Sequence, residues 1–74
     1  DLPKGLSQET LVNIVETLSD HDSAYSAREI ADRMTLSRVT ARRYLEYLHA
    51  SRRVERRPRH GTPGRPELEY AWRG

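Results

Sequence analysis

Two helix-start signals stand close together near the middle of this chain, and their spacing limits what it can fold into. Ser26-Ala27-Arg28-Glu29 is a Ser-x-x-Glu capping box, with Tyr25 and Ile30 placed to staple it. A second N-cap, Ser37, follows Thr35 and Leu36. Between the two caps there is room for a helix of only about two turns, with Ala27, Ile30, Ala31 and Met34 on one stripe. Ser37 then opens a third helix from about Arg38 to Ala50, with Ala41, Tyr44, Leu45 and Leu48 as its buried stripe. Two helices joined by about three residues, the first short and carrying alanine at the crossing, form the unit that lays its second helix in the major groove.

The flanking segments complete a small fold. Leu6, Ser7 and Leu11 have the spacing of a staple and an N-cap, and Leu11, Ile14, Val15 and Leu18 recur at helical intervals, so a first helix is expected from about Gln8 to Ser19. Glu9, Glu16 and Asp20 make its outer face acidic, and Asp20-His21-Asp22-Ser23 is turn chemistry. After Ser51 the apolar period changes to two. Val54 begins one strand, through about Arg57, and Leu68, Tyr70 and Trp72 alternate with polar neighbours in a second. Those three side chains share a face expected to pack on the first and third helices. Pro58 to Pro66 lies between the strands as a turn-forming stretch, and one more short strand is expected around Ala24-Tyr25. The expected fold is mainly α with a small β-hairpin, a winged helix-turn-helix of three helices plus a wing, filling residues 1–74 as one domain cut from a longer protein.

Charge separates along the chain. Residues 1–36 hold seven acids against Lys4, Arg28 and Arg33, whereas the remainder holds ten arginines against Glu46, Glu55, Glu67 and Glu69. Guanidinium forks suit phosphate oxygens and guanine edges better than ammonium groups do. The third helix turns Arg38, Val39, Arg42, Arg43 and Glu46 away from its buried stripe, and its start adds the hydroxyls of Ser37 and Thr40. Hydroxyls for phosphates, arginines for guanine and a valine for a thymine methyl make a recognition face, which Ser26 joins from the start of the second helix. The wing, about 56–66, brings Arg56, Arg57, Arg59, His60 and Arg65 to the backbone or the minor groove, with Arg65 at the tip.

Other chemistry finds little footing. There is no cysteine, and the longest apolar run, Tyr70-Ala71-Trp72, is too short for a membrane span or a signal core. No catalytic motif is present, so no enzyme activity and no cofactor are expected, and the default location is the cytoplasm. Asp20-His21-Asp22 reads as a solvated turn rather than a metal site. Gly61-Thr62-Pro63-Gly64 has the spacing of an RNA-binding loop but joins strands, not helices. The competing reading is a winged-helix protein–protein interaction module, acting through the acidic first helix.

The run Leu36-Ser37-Arg38-Val39-Thr40-Ala41-Arg42-Arg43-Tyr44-Leu45-Glu46-Tyr47-Leu48, with Gly61-Thr62-Pro63-Gly64-Arg65-Pro66-Glu67, Tyr70 and the leading Leu2-Pro3-Lys4-Gly5-Leu6, resembles a known family. It is similar to the output domain of bacterial two-component response regulators that answer to citrate and C4-dicarboxylates. The resemblance implies a transcriptional role, a receiver domain elsewhere in the same polypeptide, and duplex DNA bound with a second copy as a homodimer. Two departures stand out. Thr35 occupies a turn position where many such domains have glycine, and Ser51-Arg52-Arg53 follow the third helix without one, so that its end is expected to fray or to bind phosphate.

Overall fold

The computed structural model describes residues 2–20, 23–59 and 67–74. The elements run α1 (Gln8–Asp20), β1 (Tyr25–Ser26), α2 (Ala27–Met34), α3 (Arg38–Ala50), β2 (Val54–Arg59) and β3 (Glu67–Trp72). Helix boundaries follow the caps. The Ser7 hydroxyl accepts from the Thr10 N–H at 3.2 Å, and the Ser26 and Ser37 hydroxyls accept from the N–H groups of Glu29 and Thr40. The three strands form one antiparallel sheet with β3 central, in the order β1-β3-β2, which gives the winged helix expected from the sequence.

β2 is longer than its sequence suggested, because Pro58 and Arg59 belong to it and pair with Leu68 and Glu67. Proline is tolerated because β2 has a described neighbour on one side only, and alternate N–H groups of such a strand make no ladder bond. The core gathers Ile14 and Leu18 of α1, Ile30 of α2, Leu45 and Leu48 of α3, and Val54 and Tyr70 of the sheet. Of the three side chains expected on the inner face of β3, only Tyr70 is fully enclosed. Leu68 and Trp72 are half-buried against the core, one at each end of the strand.

Tyr70 also corrects the reading of Glu46. Its hydroxyl donates to Glu46 Oε2 at 2.7 Å, and Arg56 pairs with the other carboxylate oxygen, so Glu46, half-exposed, joins α3 to the sheet rather than standing free on the outer face. Burial, reinforced by the bond to Glu46, pushes the Tyr70 hydroxyl up to about 12. For Glu46, burial acts upward, but the Tyr70 and Arg56 bonds outweigh it and hold the carboxyl below its usual range.

The ends of α2 and α3, neither of them with glycine, are well formed. Thr35 adopts φ 58°, ψ 48°, and the next N–H, of Leu36, returns to the Ala31 carbonyl at 2.9 Å. Arg52 adopts φ 62° after α3, where its N–H meets His49 O at 3.0 Å and that of Arg53 meets Leu48 O at 2.9 Å. This is the Schellman arrangement, so α3 does not fray, and the orphan carbonyls are satisfied by the chain itself. The left-handed region penalises any side chain and a β-branched one most.

The far end of β2 is tied to α2. Arg59 grips Glu29 with both η nitrogens, at 2.9 and 3.0 Å, donates from Nε to Glu69 at 3.0 Å, and lies 3.6 Å from Glu67. Glu29 Oε1 also accepts the Ser26 N–H at 2.9 Å, closing the capping box. The Arg59 bond, more than any other contact, holds the Glu29 carboxyl down at about 2.

Two expectations follow from this backbone and this ion pair. Replacing Thr35 by glycine relieves a left-handed penalty of ~1–2 kcal/mol, while the freer unfolded chain costs ~0.4–1 kcal/mol. Thr35→Gly should therefore leave stability unchanged or raise it by up to about 1.5 kcal/mol in urea melts, and a lower midpoint would contradict the strain. Because the folded pKa of Glu29 is depressed, its contribution is fully present above the unfolded value near ~4.3 and disappears as pH falls through about 2. Glu29→Gln should accordingly be less stable than the parent at pH 6, and the gap should narrow steadily between pH 4.5 and pH 2.

Candidate nucleic-acid interface

The N-terminal turn of α3 presents its outward residues to solvent on a rigid base. Ala41, Tyr44 and Leu45 are buried beneath it, which leaves Arg38, Val39 and Arg42 exposed. Val39 is 72% exposed, an unusual position for a large apolar side chain. Ser37 caps the helix and engages Thr40 twice: its Oγ accepts the Thr40 N–H at 3.1 Å and donates to Thr40 Oγ1 at 3.0 Å. Both hydroxyls stand beside the arginines, with Ser37 exposed and Thr40 half-buried.

α2 contributes a residue that the sequence reading passed over. Arg28 lines one cleft with Arg38 and Arg42, floored by Ala27, Leu68 and Tyr70 and edged by Glu67. A neighbouring depression of about 290 Å³ is lined by Ala27, Arg38, Val39 and Arg42. Arg28 lies in the acidic half of the chain, which hid it. Its place in the first turn of α2, directly behind the Ser26 cap, was the available signal. Among the described residues, no ion pair or hydrogen bond engages the guanidinium of Arg28, Arg38 or Arg42.

The other arginines singled out in the sequence have internal partners. Arg43 is exposed, but its Nη2 donates to the Lys4 carbonyl at 2.6 Å. It holds the leading segment against α3 beside Gly5, whose φ of 91° and lack of a Cβ allow that approach: a Cβ there would lie 2.9 Å from Arg43 Nη1. Arg56 pairs with Glu46 and Arg57 with Glu69, the latter at 2.8 Å, while Arg59 is enclosed by Glu29, Glu67 and Glu69. The Glu69 carboxyl is held below its usual range by its bonds to Arg57 and then Arg59. Arg56 and Arg57 sit in exposed pairs, which contribute little to stability. Arg59 is different, because its fork is filled on both edges and only a quarter of the side chain is exposed. Its placement is that of a strut between wing and helix.

Ser26 is likewise enclosed. It is 1% exposed, and its hydroxyl accepts the Glu29 N–H at 3.2 Å, so reaching a phosphate would require opening the capping box. His60 and Arg65, expected at the wing tip, lie outside the described residues, as do His21 and Asp22 of the helix-ending turn. No helix among the described residues is long and apolar enough to cross a membrane.

Known proteins are similar to this chain. The chain is 46% identical over 70 residues to the probable C4-dicarboxylate response regulator DctR of Halalkalibacterium halodurans, covering 95% of this chain and 30% of that protein. It is 40% identical over 70 residues to the transcriptional regulatory protein CitT of Bacillus subtilis and 34% identical over 70 residues to DpiA of Escherichia coli K12, in each case covering 95% of this chain and 31% of the relative. The chain thus spans less than a third of the length of these relatives. In fold it matches a possible transcriptional regulator from Methanosarcina mazei Go1, with a TM-score of 0.80 at 16% identity over 93% of this chain and 57% of that one. Residues 10–72 match the DpiA-like helix-turn-helix domain, and this chain belongs to that family.

Proposed function

We propose that this domain binds duplex DNA sequence-specifically as the output unit of a transcriptional response regulator, with α3 in the major groove and the wing against the backbone or the minor groove. The observation that carries this reading is the set of unengaged guanidinium groups, Arg28, Arg38 and Arg42, around an exposed Val39 at the start of a helix whose other face is core. A valine and unpaired arginines together at the start of one helix match what a base edge and a phosphate offer. Membership of a helix-turn-helix family whose relatives are named as response regulators and transcriptional regulators supports the same conclusion.

Within that reading, Arg38 and Arg42 take guanine O6 and N7, Val39 meets a thymine methyl, and Arg28, Ser37 and Thr40 fix the backbone. Arg65 and His60 complete the contact from the wing. Arg56 and Arg57 trade their glutamates for phosphates as the wing settles, whereas Arg59 keeps its own. A receiver domain in the remaining length of the protein supplies the regulatory input, and the protein acts in the cytoplasm on DNA, without catalysis.

Fluorescence anisotropy across a salt series tests the reading. With ~4–6 phosphates neutralised, log K should fall against log salt with a slope of about −4 to −5, and a slope near zero would sink the proposal. Arg38→Ala and Arg42→Ala should each cost ~1–3 kcal/mol on a selected duplex and relax the preference at one base pair. Arg28→Ala should weaken selected and scrambled duplexes alike and reduce the slope by about one. Equal losses on both duplexes for Arg38→Ala and Arg42→Ala would remove base reading from α3.

A further inference from the structure

Residues 2–6 precede the first helix, yet they form a built element fastened to α3. The Leu6 N–H returns to the Pro3 carbonyl at 3.2 Å, which closes a β-turn with Lys4 and Gly5 at its apex. Gly5 holds φ 91° at the third position, where a type II turn requires a positive value. Leu2 and Leu6, on either side of the apex, are half-buried against the core. The next residue, Ser7, donates its N–H to the Tyr44 hydroxyl at 2.7 Å, and Arg43 Nη2 donates to the Lys4 carbonyl at 2.6 Å.

The turn and the wing meet different flanks of α3. Successive helical residues are ~100° apart, so Arg42 and Arg43 leave the helix in different directions, with the exposed Val39 between them. Arg38 and Arg42 line the cleft towards β3, whereas Tyr47, on the side of Arg43, faces α1. A helix seated in the major groove has a phosphate backbone on each side of it. The charge needed for the second side is present. Arg56, Arg57 and Arg59 are answered by carboxylates, but the partner of Arg43 is a neutral carbonyl, so its charge is not cancelled. That bond uses one of five N–H donors, and the side chain is exposed. Lys4 is exposed too, and no ion pair or hydrogen bond among the described residues engages its ammonium group. We propose that the Pro3–Leu6 turn acts as a second wing, and that Lys4 and Arg43 together take backbone phosphates across the groove from the β2–β3 wing. This assignment rests on the duplex-DNA reading and extends it to a segment outside the helix-turn-helix. Because the turn is already anchored, little conformational freedom is lost when it meets the phosphates.

Anisotropy titrations of the 74-residue chain across a salt series, on a selected and a scrambled duplex, test the assignment. Within the fold it is the carbonyl of Lys4 that makes the contact, so Lys4→Gln removes the charge and leaves the turn in place. It should weaken both duplexes alike, by up to ~10-fold at ~0.1 M salt, and lower the slope by about one. Arg53→Gln, which removes an exposed charge beyond the far end of α3, should leave the slope where it is. Gly5→Ala removes no charge, but its Cβ would lie 2.9 Å from Arg43 Nη1 on a backbone of φ 91°. The displaced turn should weaken both duplexes as well, and circular dichroism checks that each variant is folded. A Lys4→Gln slope equal to that of the parent, equal losses for Lys4→Gln and Arg53→Gln, or a folded Gly5→Ala that binds as tightly as the parent would overturn the proposal. A parent slope near zero removes the DNA reading and the turn with it, whereas a steep parent slope that Lys4→Gln does not change removes the turn alone.

Discussion

The Glu29 carboxylate closes the capping box on the Ser26 N–H and at the same time receives both η nitrogens of Arg59, so the start of α2 and the far end of β2 are held by one group. The angle between helix-turn-helix and wing depends on this joint. β1 is only Tyr25–Ser26, paired with Tyr70 and Glu69 of β3, too short to fix that angle through its ladder alone. The bidentate geometry supplies the missing direction, because a guanidinium filled on both edges has little freedom to swing. A lysine at position 59 would keep the charge and lose the orientation.

Three acids of the C-terminal half acquire a purpose from the same arrangement. Glu46, Glu67 and Glu69 lie among the basic residues of the C-terminal half, where a surface built for polyanion binding would be expected to exclude them. Each instead answers an arginine of β2, and together with Glu29 they set two groups of arginines apart. One group is neutralised within the fold and shapes the wing. The other, Arg28, Arg38 and Arg42, remains open to solvent on a cleft shared by α2, α3 and β3. Net charge alone does not separate the two, since both count equally towards it.

The turns show how a sequence departing from the usual helix-ending glycine keeps the same geometry. Thr35 and Arg52 both sit in the left-handed region, at φ 58° and 62°, and the hydrogen bonds of Leu36 and Arg53 back into their helices are complete. Leu36 packs against the core directly after Thr35, and Val54 is buried soon after Arg52, so each strained residue is followed by an apolar anchor. Burial of that anchor compels the turn, and the backbone strain is carried as a modest cost.

Local chemistry was sufficient for the elements. Ser7, Ser26 and Ser37 set the helix starts, the stripes Ile14–Leu18, Ile30–Ala31 and Ala41–Leu48 set the buried faces, and the change of period after Ser51 set the hairpin. Each signal involves residues within a few positions of one another, so the sequence alone determined the order and type of the elements, and with them the winged helix. Proline at 58 misled about the length of β2, because its tolerance depends on which strand lies beside it. The division of the arginines was decided by tertiary structure. Arg59 meets Glu29 from thirty positions away, Arg56 meets Glu46 across the α3–β2 junction, and Arg28 joins Arg38 and Arg42 only where α2 crosses α3. Composition records how many guanidinium groups there are, but which of them find a carboxylate and which remain for another molecule is a matter of distance in space, and that distance is set by the packing of the core.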